Sequence, residues 1–165
     1  MEMNFYVLFI AALVPMFIGA IWYGPLFGNA WMQQMGFTKE SLAGTNMIKT
    51  LLICYILSVL VAMALMQMVI HQMGVYSTLA GEPGFNEQTG DAYLYFQDFL
   101  ATYKDRFRTF KHGALHGVLN GLFFATSILG IQAVFEKKSF KYVAINAGYW
   151  IVTLAVMGGI ISKWL

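Results

Sequence analysis

Four long intervals of this 165-residue chain carry no lysine, arginine, aspartate or glutamate, and that absence decides what the chain can fold into. They run from Met3 to Thr38, Thr50 to Ile70, Gly113 to Phe135 and Tyr142 to Ser162. The last three hold 21, 23 and 21 residues. A hydrocarbon core roughly 30 Å thick is crossed by about 20 helical residues at about 1.5 Å each, so each fits one span. The first interval, at 36 residues, is too long for one helix and must turn. Because 59% of residues are hydrophobic and 11% charged, against about 25% charged in soluble domains, the bilayer is the expected solvent. The fold class that follows is all-α, a polytopic membrane protein of four transmembrane helices with amphipathic interfacial helices in the connections. One domain over residues 1–165 is expected, with spans at about 4–23, 47–70, 112–134 and 140–161 and an extramembrane connection at 71–111.

Local signals refine this layout. Pro15 removes a backbone donor inside the first span and predicts a kink. Gly24 and Pro25 predict a turn. Residues 26–37 then mix Trp31, Met32, Met35 and Phe37 with Asn29, Gln33 and Gln34, a composition suited to the headgroup boundary. Thr38 or Thr45 is expected to cap a following helix, with the second span running from about Met47. In the long connection, GEPGFNEQTGD reads as loop. From Asp91 onward Phe96, Phe99, Tyr103, Phe107 and Phe110 recur at helical spacing and predict an amphipathic helix leading into the third span. The connection FEKKSFKY permits only an antiparallel hairpin, and Lys163 and Trp164 close the fourth span at the interface. Cys54, the single cysteine, is expected as a packed free thiol. The N-terminus has no basic leader region, so the first apolar run is expected to be retained as a span. Basic residues divide evenly between the two sides. Glu2 ahead of the first helix and the Lys137, Lys138, Lys141 cluster place the termini and the long connection outside.

The third span carries the most informative pattern. His112, His116 and Asn120 recur every fourth residue, and Gly113, Gly117 and Gly121 follow each of them. A helix with this pattern has a polar stripe beside a stripe without side chains. The glycines let a second helix approach closely, while polar groups in hydrocarbon must face protein, water or an ion. His112 and His116 have the spacing that lets two imidazoles ligate one ion. The second span exits where the third enters, which brings His71 to the same membrane face. His71, His112 and His116 therefore form a candidate site for a divalent metal, with Glu2, Asp98 and Asp105 as carboxylates at that end. Such a site loses its ion in acid, because imidazole must be neutral to bind. The competing expectation is structural: His112 in the interface, His116 bonded to a carbonyl and His71 capping a helix. Asn120, Ser127 and Asn146, with Thr126 and Thr153, are expected to form interhelical hydrogen bonds within the membrane, with the lining of a pathway as the alternative.

Several function classes lose ground. No acidic or basic side chain occupies the middle of a span, which disfavours a coupled pump or voltage sensor. Motifs for a nucleophile elbow, a phosphate loop or a zinc peptidase are missing from the sequence. A net charge of +2, scattered along the chain, predicts no nucleic-acid partner. The leading expectation is a non-enzymatic transporter or channel assembled as a homo-oligomer in the lipid bilayer, or a membrane scaffold. The alternative is a metal-dependent membrane protein or enzyme built on the three histidines.

Four stretches carry a resemblance: WYGPLFGNAW (22–31), MGFT (35–38), ATSILGIQAVFEKKSFK (125–141) and INAGYW (145–150). Together they are similar to the bacterial integral-membrane family catalogued as domain of unknown function 1761. The similarity covers roughly half the chain. It implies a small four-helix protein of a bacterial inner membrane and no reaction. Two features depart from the pattern: a long 74–110 connection, and Trp150 where a histidine is expected.

Topology gives the first test. In a Cys54→Ser background, Gln88→Cys and Ser139→Cys are expected to react with an impermeant thiol reagent from opposite faces of intact membranes. Reaction of both from one face removes the four-span arrangement.

Overall fold

The computed structural model describes residues 3–165, and among these four helices are long and apolar enough to cross a membrane: Tyr6–Leu26, Met47–Val69, Phe110–Phe135 and Phe140–Trp164. Shorter helices, Gly28–Met35, Lys39–Leu42, His71–Leu79 and Asp91–Tyr103, lie in the connections. No strand occurs among the described residues.

The first span is bent twice, each time for a local reason. Regular helix stops at Ala11 and resumes at Val14, because Pro15 has no N–H to offer the Ala11 carbonyl. A second irregularity falls at Gly24, whose φ of −99° and ψ of −106° are non-helical, within a widened turn over Trp22–Leu26 that contains Pro25. The expected turn at Gly24 and Pro25 is thus a kink, and the span continues to Leu26 rather than ending near residue 23. Helix Gly28–Met35 ends on Gly36 in the left-handed conformation, φ 71°, the usual terminator of a helix.

Thr38 caps a following helix as expected, and the second span has a cap of its own. Thr38 caps the short helix Lys39–Leu42 in a reciprocal box with Ser41. Asn46 caps the span itself, its Oδ1 accepting from the Lys49 amide at 3.0 Å. Thr45 instead donates to the Leu42 carbonyl, because Asn46 is the residue adjacent to the first helical position.

The fourth span is the centre of the bundle. Its Leu154, Met157 and Ile161 pack with Val7, Leu8 and Ala11 of the first span and Ala62, Leu65 and Met66 of the second. The third span meets it backbone to backbone. A Cβ placed on Gly113 would lie 2.1 Å from the Gly158 carbonyl oxygen, and one on Gly117 would lie 2.0 Å from that of Leu154. On Gly121 it would lie 2.5 Å from the Ile151 Cα. The Asn4 amide donates to the Leu165 carbonyl at 2.8 Å, tying the start of the first span to the end of the fourth. Outward faces carry large apolar side chains, Phe123, Val134 and Phe140 among them. Cys54 is also exposed, so it is not the packed thiol expected: it lies on an outward face of the second span.

The long connection is a folded helical hairpin. His71–Leu79, a helix the sequence did not disclose, packs Val75 and Leu79 on Phe85, Phe96 and Leu100. Its partner Asp91–Tyr103 does not lead directly into the third span. The chain turns over Lys104–Arg108, with Phe107 at a positive φ of 64°. The third span starts at Phe110, capped by Thr109.

The glycine contacts yield a direct test. Gly117→Leu is expected to lower stability by about 1–3 kcal/mol or more, because its side chain has no space against a backbone carbonyl. Gly130→Leu meets nothing within 4 Å and should change little. Equal melting temperatures for the two variants would remove the close-packing argument.

Candidate metal centre

Two helix ends bring the three histidines together. Ile70, with extended dihedrals, breaks the chain after the second span, so His71 becomes the first residue of a redirected helix. His112 and His116 are one turn apart at the start of the third span, where the Thr109 hydroxyl accepts from the His112 amide at 3.2 Å. The Nε2 atoms of His71 and His112 are 2.8 Å apart, and those of His112 and His116 are 3.1 Å apart. One ring nitrogen from each of the three lies within 4.8 Å of the others. With all three rings neutral, the His112 Nε2 offers either one lone pair or one hydrogen, so it makes one full hydrogen bond and the second close contact has to share it.

These separations also suit a metal. Zinc–imidazole bonds of about 2.0–2.1 Å at tetrahedral angles put ligand nitrogens about 3.3 Å apart, against 2.8 Å and 3.1 Å for the two short contacts and at most 4.8 Å for the third pair, so small ring rotations bring all three onto one ion. Among the described residues no carboxylate joins the group, so Asp98 and Asp105 do not complete it as expected. Glu2, the other carboxylate expected here, lies outside the described residues. His116 meets His112 rather than a neighbouring carbonyl.

A loop covers the trio on one side. The Phe107 ring stacks on His112, with centroids 4.6 Å apart and planes 18° apart, and stands edge-on to His71 at 5.7 Å. The Arg106 guanidinium sits 5.4 Å from the Phe107 ring centre. A cavity of about 230 Å³ lies beside the trio, bounded by His71, Gln72, Phe99, Tyr103, Arg106 and Phe107. Arg108, half-buried in the same loop, is held below the ordinary guanidinium value by burial, which the Asp105 carboxylate opposes.

Gln72, the residue after His71, fixes this loop and was not singled out by the sequence. Its side chain is 2% exposed. Its amide nitrogen shares two hydrogens among the carbonyls of Tyr103 at 2.9 Å, Lys104 at 3.1 Å and Arg106 at 3.0 Å, which gathers the turn after helix Asp91–Tyr103 around one side chain. Ser162 adds a fourth tie, its hydroxyl donating to the Phe107 carbonyl at 3.2 Å.

The other polar residues of the spans bond mostly to their own helices. Asn120 donates to the His116 carbonyl at 2.8 Å and Ser127 to that of Phe123 at 2.6 Å, so neither forms the interhelical bond expected. Asn146 does cross between helices, accepting from the Tyr23 hydroxyl at 2.9 Å. The Trp22 indole donates to the Ile145 carbonyl at 3.0 Å, and the Tyr149 hydroxyl to that of Pro15 at 2.9 Å.

The fold and the residues it gathers define a multi-pass helical membrane protein with a histidine cluster at one end. Residues 6–162 match the family described as Protein of unknown function (DUF1761), and the chain belongs to that family. No curated protein and no solved structure matches it. The match extends well beyond the half of the chain that carried the resemblance. WYGP and INAGYW meet in space, since Trp22 and Tyr23 bond to Ile145 and Asn146 and join the first span to the fourth.

Gln72 provides the test for this region. Gln72→Leu keeps the bulk and removes the donor that the Lys104 and Arg106 carbonyls share, while the Tyr103 carbonyl keeps the Arg106 amide. The expected cost is about 1–3 kcal/mol, with faster amide exchange over residues 104–109. Unchanged exchange there would show that the loop is held by other contacts.

Proposed function

We propose that this protein binds a divalent transition-metal ion at one membrane face through His71, His112 and His116. The convergence of three imidazole nitrogens from two separate helix ends is the observation that carries the reading. Imidazole ligands suit zinc, copper, nickel and ferrous iron, and a neutral three-histidine set leaves a coordination position open. Phe107 stacks on His112, and the cavity it shares with Arg106 and Tyr103 reaches His71. An oligomeric transporter or channel in a cell membrane, the leading expectation from sequence, is compatible with such a site as an entry or sensing point. The histidine cluster is the more specific starting point because it names residues and an ion class.

Protein purified without a histidine tag, from cells grown with zinc, should hold about one equivalent of metal by elemental analysis. His112→Ala and His116→Ala should each lose it. Zinc at about 100 times its dissociation constant should stabilise the native protein by about 2.7 kcal/mol, and neither variant should respond. A protein that is metal-free, and whose melting is unmoved by zinc or chelator, would return these residues to hydrogen bonding and stacking.

A further inference from the structure

The third span changes character directly below the histidines. From Asn120 to Ala125 its turns widen to the π form, and the Thr126 hydroxyl donates to the Gly121 carbonyl five residues back at 2.8 Å. Single π turns within α-helices are frequent at functional sites, because they displace side chains at an energetic cost. Three residues of this segment, Asn120, Phe124 and Ala125, line an apolar cleft of about 300 Å³ between the second, third and fourth spans. Ala64, Met68 and Trp150 bound it from the other two helices. The cleft follows the third span from Asn120 to Leu129, about 13 Å at about 1.5 Å per residue. That is an elongated space open at hydrocarbon depth.

Its polar end points to the metal centre. Asn120 is one turn from His116 and bonded to its carbonyl. Met68 is three residues before His71. The chain immediately ahead of His112 carries Lys104, Arg106, Arg108 and Lys111 against a single carboxylate, Asp105. A metal held by three neutral imidazoles keeps its full charge, which adds to this bias.

We infer that the cleft binds the tail of a single-chain amphiphile whose anionic head, a carboxylate of the fatty-acid kind, reaches the open position of the histidine site from within the bilayer. The inference rests on the metal reading for the head, whereas the tail's site rests on the cleft alone. Bulk phospholipid carries a second chain and a larger headgroup, which a cleft of about 300 Å³ leaves outside.

Trp150 lines the cleft and reports on it. The protein is placed in nanodiscs of dioleoylphosphatidylcholine, loaded with zinc, and titrated with 9,10-dibromostearate while tryptophan fluorescence is recorded. Quenching should saturate at a low mole fraction, and should be lost in Trp150→Phe. In Ala64→Phe, which fills the cleft from an exposed position, it should weaken at least about tenfold. The methyl ester, which lacks the anionic head, should bind about tenfold more weakly, as should the acid after chelation of zinc. Non-saturating quenching, or quenching matched by brominated phosphatidylcholine at equal mole fraction, would identify bulk lipid and overturn the inference. Equal binding of acid and ester would also overturn it. Zinc content measured on the same samples separates the two readings: bound zinc without saturable quenching sinks the cleft alone, and absent zinc sinks the metal centre and with it the proposed role of the head.

Discussion

Contact between the backbones of the third and fourth spans is the constraint on which the rest of the structure depends. Lipid tails are as apolar as leucine, so no hydrophobic force drives helices together within the bilayer and association rests on van der Waals fit and hydrogen bonds. Glycines at 113, 117 and 121 let the third span approach Gly158, Leu154 and Ile151 until backbone atoms touch. That contact fixes the rotation of the third helix about its axis. Because His112, His116 and Asn120 each precede one of those glycines by one residue, the rotation that seats the glycines turns the polar stripe toward the end of the second span. His71 then meets the pair.

The spans were legible because bilayer thickness sets a length and charge marks its limits. The ends were less so, since Lys111 and Lys163 lie inside the helical ends and counting charge-free residues stops short of them. Long basic side chains can extend toward the interface while their backbone stays helical. The histidine grouping followed from spacing and from the up-and-down course of the chain. Gln72 carried no such signal, because its role depends on carbonyls 31 to 34 residues away, at a helix end that the sequence placed elsewhere. Helix His71–Leu79 was hidden for a similar reason. With Gly74 and little charge it resembles a loop until Phe85, Phe96 and Leu100 offer it a surface.

Polar residues within the membrane were expected to look outward to other helices, and most look back along their own. Asn120, Ser127 and Asn146 each donate to the carbonyl four residues earlier. This satisfies a donor at no cost in helix placement. It also explains why interhelical polar bonds concentrate where the first span is irregular. A kinked helix at membrane depth needs partners for the backbone groups it displaces. Tyr149 bonds the Pro15 carbonyl, while Trp22 and Tyr23, from the widened turn, bond the fourth span. The motifs that mark the family are in this sense the fittings of an irregular first helix.

A cluster built from neutral groups has a further consequence for where it can lie. A carboxylate or lysine buried in hydrocarbon bears the cost of its charge, whereas imidazoles can stay neutral where the third span enters the membrane. The same neutrality leaves any ion they hold without charge compensation from its ligands. In the proposed metal site, compensation would come from hydroxide formed from bound water or from an incoming anion, and the widened turn at Asn120–Ala125 puts an apolar cleft beside the helix that carries His116. Two of the three imidazoles and one wall of the apolar cleft thus lie on one helix, and the close packing of its glycines sets the position of both.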